Sequence, residues 1–113
     1  MAFVYLITEE NNENAYKIGS TRSNDIHKRM KQLQTGNSER LFLQNYFETD
    51  KPFKLEKMLH NRFESYRLNG EWFELNKCDV EAFKSICEHY QTIISSLNDN
   101  PFFNEQKNSS KKT

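Results

Sequence analysis

Apolar residues along the chain fall into short unbroken runs and longer periodic stretches, separated by polar segments. Phe3-Val4-Tyr5-Leu6-Ile7 is a run of aromatic and branched residues with no breaker, and predicts a strand buried on at least one face. Thr8 to Asn14 is polar, rich in Asn and Glu, and predicts a loop. Ala15 to Ile18 predicts a second short strand, paired with the first as an antiparallel hairpin. Side chains alternate along a strand, so Phe3, Tyr5 and Ile7 share one face. In the second strand Tyr16 and Ile18 share a face and Lys17 points the other way. If Lys17 lies on the face of Tyr5, that face is functional or at the sheet's rim.

Gly19 predicts a sharp turn. Ser23 or Asn24 is expected to cap a helix with Asp25 in its first turn. Ile26, Met30 and Leu33 form its apolar stripe, flanked by Arg29, and Thr35-Gly36-Asn37-Ser38 ends it. Leu41 to Phe47 reads as a third strand, the longest, central and covered on both faces. Thr49 or Asp50 is expected to cap a second helix carrying Pro52 in its first turn and Leu55, Leu59 and Phe63 as its buried stripe. Glu56 and His60 fall on an adjacent face of it. Tyr66 to Gly70 closes that helix. Glu71 to Leu75 reads as an extended piece that seals one end of the core, with Trp72 a core residue rather than a base-stacking platform. Asp79 opens a last helix striped by Val80, Phe83, Cys87, Tyr90, Ile94 and Leu97. The sum is an α/β fold: a small, mainly antiparallel three-stranded sheet flanked by three helices over residues 1–98. A polar tail over 99–113 is expected to be disordered.

Composition narrows the function classes. The 113 residues suit one domain with a modest core, and nine Phe and five Tyr can fill it with large rings. Sixteen basic and sixteen acidic residues cancel, so no global cationic field advertises a nucleic-acid partner. Arg22, Lys28, Arg29, Lys31 and Arg40 still cluster in sequence, as a local patch or a solvated helix face. Cys78 and Cys87 are about 13 Å apart along one helix, too far for a disulfide. Reduced cysteines fit an intracellular protein, cytoplasmic or nuclear and not secreted. No zinc-ligand spacing, signal peptide or membrane span is recognisable.

The order of residues resembles the GIY-YIG endonuclease superfamily. Phe3-Val4-Tyr5 is similar to its first motif, Lys17-Ile18-Gly19 to its second, Arg29 to its helix arginine and Glu56 to its metal-binding glutamate. Tyr16-Lys17-Ile18-Gly19-Ser20-Thr21, Leu33-Gln34-Thr35-Gly36, Leu55-Glu56 with His60 and Phe63, and Gly70-Glu71-Trp72-Phe73 resemble a phage, viral and bacterial branch of it. The chain departs from the pattern at Lys17, where tyrosine is usual, and the late asparagine matches either Asn69 or Asn76.

The resemblance implies a metal-dependent endonuclease acting on DNA, with no membrane partner. Glu56 would hold one Mg²⁺ or Mn²⁺. Arg29 would pair with non-bridging phosphate oxygens through its planar fork. Tyr5 and Lys17 would position or deprotonate the attacking water. His60 would orient Glu56, ligate the metal or touch phosphate. Ser20, Thr21, Arg22, Lys28 and Asn69 are candidate substrate contacts. Each has a plainer alternative: a core Tyr5, an exposed Lys17, a solvated His60, and an Arg29–Glu56 ion pair joining two helices. An inactive DNA-binding module and a protein-interaction domain using the long last helix stand as rival functions.

Overall fold

The computed structural model describes residues 1–98, and the polar tail expected over 99–113 lies outside them. The central strand is β1 (Ala2–Glu9), whose residues Ala2 to Ile7 are all buried. It pairs antiparallel with β2 (Asn12–Thr21) on one side and β3 (Leu41–Thr49) on the other. The β1–β2 ladder runs out to Glu9 opposite Asn12, through the polar stretch expected to be a loop. A ladder is built from backbone groups and does not need apolar side chains once the strands have left the core. Here the Glu10 N–H also donates to the Arg40 carbonyl at 2.9 Å.

Among the described residues, the expected three-stranded sheet with three helices is corrected to five antiparallel strands with four helices. The strand order is β3-β1-β2-β5-β4, with β4 at Arg67–Asn69 and β5 at Trp72–Glu74. The helices are α1 (Ile26–Thr35), α2 (Pro52–Arg62), α3 (Lys77–Glu81) and α4 (Phe83–Asn98). The two added strands have three residues each, too few to show an alternating pattern. Their hairpin turns at Gly70, whose φ of +49° lies in the left-handed region that glycine enters without a Cβ penalty. The last helix starts at Asn76, whose side chain accepts from the Asp79 N–H at 2.8 Å, and breaks at Ala82.

β3 is an edge strand, not a central one. Its residues alternate between partly buried and exposed, and Phe42 and Tyr46 face outward. Its apolar content mimics a doubly covered strand because aromatic rings also sit on its outer face. Asp25 itself caps α1, accepting from the N–H groups of His27 and Lys28. Neither Thr49 nor Asp50 caps α2: Lys51 stands at its N-cap without a side-chain cap bond, and Thr49 accepts from the Lys51 N–H at 3.0 Å, just ahead of Pro52.

The sheet has two unequal faces. On one, Val4, Leu6 and Ile18 pack with Leu55, Leu59, Phe63 and Phe73, and with Phe83, Ile86, Cys87 and Ile94 from α4. On the other, Phe3, Tyr5 and Ile7 pack under Ile26, with Met30 and Leu33 of α1 alongside. Two helices, α2 and α4, thus cover the first face and α1 alone covers the second. Cys78 and Cys87 are both free.

Gly19 does not turn the chain. It lies buried within β2, directly opposite Tyr5, and a Cβ there would fall 2.6 Å from the Tyr5 hydroxyl. The glycine is required by space rather than by φ. Gly19→Ala is therefore expected to destabilise the fold by about 1–3 kcal/mol, as overpacking does. Adding Tyr5→Ala should cost less in the Gly19→Ala background than in the wild type. Urea denaturation checks both, and an unchanged midpoint for Gly19→Ala would contradict this packing.

Candidate active site

The end of β2 is where the sheet opens. β5 pairs with β2 only from Ala15 to Lys17, and the last backbone bond on that side runs from the Ile18 N–H to the Glu71 carbonyl at 3.0 Å. Beyond it, Gly19, Ser20 and Thr21 keep β1 as their partner but have no strand on their outer side. Side chains from both faces of the sheet can meet around this edge.

Tyr5 reaches it from below. Its ring is buried against Gly19, and burial raises the phenol above its ordinary pKa of 10.0. The neighbouring Arg29 guanidinium pulls the other way, while the carboxylates of Glu71 and Glu56 add to the rise. Arg29 comes from the middle of α1, set there by the Asp25 cap. Its Nε is buried and has no hydrogen-bond partner, and it forms no ion pair with a carboxylate among the described residues. The alternative of an Arg29–Glu56 ion pair is therefore not what the structure contains. A buried guanidinium nitrogen left unpaired is costly unless a ligand completes it.

Glu56 approaches from α2, on the other face. Ser20 Oγ donates to its Oε1, and His60 Nε2 lies 3.5 Å from its Oε2. His60 Nε2 also sits 2.8 Å from the Ile18 carbonyl. A carbonyl only accepts, so Nε2 carries the hydrogen. His60 thus satisfies a backbone oxygen at the point where β5 ends, and its ring, 5.0 Å from that of Phe73, is held in place beside Glu56. That geometry fits a histidine that orients the carboxylate better than one that ligates through Nε2.

The remaining candidates separate. Lys17 shares the face of Tyr5, as its register opposite Ile7 requires, but lies two residues from Gly19 along β2, and its side chain makes no hydrogen bond or ion pair among the described residues. Thr21 is buried with its hydroxyl accepting from the Ser23 N–H, so its oxygen shapes the turn rather than facing a substrate. Arg22 is exposed, its guanidinium 4.8 Å from the centre of the Phe53 ring. Lys28 is exposed on α1. Asn69 is exposed on β4, the outermost strand, and Asn76 is spent on capping α3, so neither joins Glu56. Glu71 is the member that sequence reasoning missed. It stood within the Gly70-Glu71-Trp72-Phe73 motif without being given a role, and only the folded hairpin brings its charge to bear on Tyr5.

Among the described residues no group of three or more His, Cys, Asp or Glu side chains could hold a metal. The Glu56 carboxylate with the Ser20 hydroxyl is an all-oxygen pair of donors with a single charge. Such a set fits Mg²⁺, which keeps most of its waters and takes one or two carboxylates, and does not fit a closed zinc site.

Comparison with known proteins corrects the family suggested by the motifs. No GIY-YIG family model matches; the model of the T5orf172 domain does, over residues 2–89. Motifs of three residues report a strand, a glycine and a helix more than they report descent. The chain is 35% identical over 100 residues to "Uncharacterized protein 460R" of Invertebrate iridescent virus 6. That match covers 85% of this chain and 44% of the viral protein, so the chain spans less than half of its relative. No solved structure matches. No helix among the described residues is long and apolar enough to cross a membrane. With the family model matching residues 2–89 of its 113, the chain belongs to the T5orf172 domain family, a family of nuclease-like, DNA-binding domains.

Proposed function

We propose that this domain hydrolyses DNA phosphodiester bonds with the help of one divalent metal ion. The observation that carries the reading is the buried, unpartnered Nε of Arg29 beside Tyr5, at the same strand end as Glu56. A planar cation with a buried N–H left unpartnered suits the non-bridging oxygens of a phosphate. A carboxylate lies across the strand from it. Membership of a nuclease-like, DNA-binding family supports the same reading.

Each group has a task. Arg29 binds and orients the phosphoryl oxygens and stabilises the charge that grows on them. Ser20 and His60 hold Glu56 in one rotamer. Glu56, with Ser20, would hold the Mg²⁺, which supplies Lewis-acid polarisation of the phosphate when bound. Tyr5, kept a neutral phenol by burial, positions the attacking water through its hydroxyl rather than removing its proton. Lys17, lacking any contact with this cluster, serves the substrate rather than the proton transfer.

Nicking of supercoiled plasmid tests the assignments. Glu56→Gln keeps the shape but loses the charge, and is expected to abolish nicking with Tm unchanged within a degree or so. Wild-type rate in this variant would remove Glu56 from the site. Arg29→Lys replaces the fork by a point charge and is expected to cost roughly 10²-fold or more in rate. Retained turnover would leave the unpartnered nitrogen without a function.

Tyr5 gives a pH signature independent of activity. Its folded pKa lies above the unfolded value, so the fold holds the proton more tightly. The stability this contributes is complete below about pH 10 and is lost as pH rises from there through the folded value. Tyr5→Phe should therefore show a shallower alkaline loss of stability than the wild type, measured by urea denaturation between about pH 8 and pH 11. Identical slopes would contradict a buried phenol at this position.

A further inference from the structure

Because a single ten-residue helix serves a face five strands wide, α1 cannot cover all of it. It shelters Phe3, Tyr5 and Ile7 but stops short of β5. Between its C-terminal end and β5 lies an open cleft of 210 Å³. Leu33 and Leu41 line it with aliphatic surface, Trp72 gives it an aromatic wall, and Lys17, Gln32 and Asn37 supply polar groups. Lys17 and Trp72 are direct neighbours across the β2–β5 ladder, so they project on the same side. Trp72 is only half-buried, which corrects its reading as a core residue.

Chemistry and position point to one occupant. No carboxylate lines this cleft, whereas Glu74 and Asp79 line one neighbouring cleft and Glu9 lines two others. The Lys17 ammonium, the Gln32 amide and the Trp72 indole N–H have no hydrogen-bond partner among the described residues. The volume is below the roughly 300–1,000 Å³ of pockets for drug-sized ligands, which leaves room for one ring system. Lys17 lies two residues from Gly19 on the same face of β2, about 7 Å along the strand. Lys17 thus places the cleft on the same face as the Tyr5–Arg29 site and one strand repeat away from it.

We propose that this cleft receives an unpaired nucleobase adjoining the phosphate held at Arg29, stacked on Trp72, with Lys17 against the strand's backbone. The proposal deepens the proposed function and rests on it in taking DNA as the substrate. It makes the preferred substrate a strand with an unstacked base: single-stranded, flapped or mismatched DNA. A base inside a duplex would first have to be flipped, at a cost of a few kcal/mol.

Trp72 is the only tryptophan in the chain, so its fluorescence reports on the cleft directly. The full chain, in EDTA to prevent cleavage, is titrated with three probes: a short oligothymidylate, an abasic strand of equal length and charge, and a matched duplex. The oligothymidylate is expected to quench Trp72 and to bind about tenfold more tightly than the abasic strand, the scale of one base–aromatic stack. Trp72→Ala, followed by anisotropy of a labelled oligothymidylate, should lose that same factor. Lys17→Gln should lower the salt dependence of binding. Equal quenching and affinity for the thymidylate and abasic strands would overturn the proposal, and that comparison uses the wild-type chain, so it does not depend on a variant folding. Tighter binding to the duplex than to the single strand would also overturn it. The nuclease reading fails separately. Base-dependent quenching without metal-dependent nicking would leave the cleft standing and remove the activity, and nicking without base-dependent quenching would do the reverse.

Discussion

The structure depends on a missing methyl group. Gly19 has no Cβ, and the Tyr5 ring lies in the space one would occupy. Strand pairing places the two residues opposite each other, so the register of the central hairpin and the position of the Tyr5 hydroxyl are one constraint. With Tyr5 there, the phenol sits beside Arg29, and Arg29 can extend into the edge without a carboxylate partner. The remaining site residues assemble around that arrangement. Ser20, the next residue of β2, points to the opposite face and donates to Glu56.

The edge itself comes from an unequal sheet. β5 has three residues and β2 has ten, so the longer strand outruns its neighbour. A strand end left in this way exposes backbone groups that need partners. His60 answers one of them by donating to the Ile18 carbonyl, and in doing so becomes fixed beside Glu56. The same shortage of cover on the other face, where α1 is the sole helix, leaves Lys17 and Trp72 around a cleft. Polar chemistry is concentrated where the small fold runs out of structure to cover itself, and a net charge of zero conceals this local grouping.

Much of this was legible in the sequence. The alternation of Phe3, Tyr5 and Ile7, the stripe of α1 and the pairing of Glu56 with His60 all follow from strand and helix periods, whereas the side of the sheet taken by Lys17 stayed open until the register set it opposite Ile7. What was not legible depends on partners distant in the chain. β4 and β5 are too short to carry a period. Phe42 and Tyr46 made β3 look buried because hydrophobicity reports the ring and not the direction it faces. Gly19 was read as a turn because its reason, the Tyr5 ring, comes from another strand. Glu71 and the unpaired Nε of Arg29 exist only in three dimensions. The family named from short motifs was corrected by the match along residues 2–89.

The central claim is that an arginine whose buried Nε has no partner and a single held carboxylate at one strand end form a phosphodiester-cleaving site. The most direct measurement is the conversion of supercoiled plasmid to open circle by the purified wild-type chain, with Mg²⁺ and with EDTA. The account predicts nicking that proceeds with Mg²⁺ and stops in EDTA. A folded protein that binds DNA and, in Mg²⁺ and in Mn²⁺, cuts neither the plasmid nor a flapped oligonucleotide would contradict it.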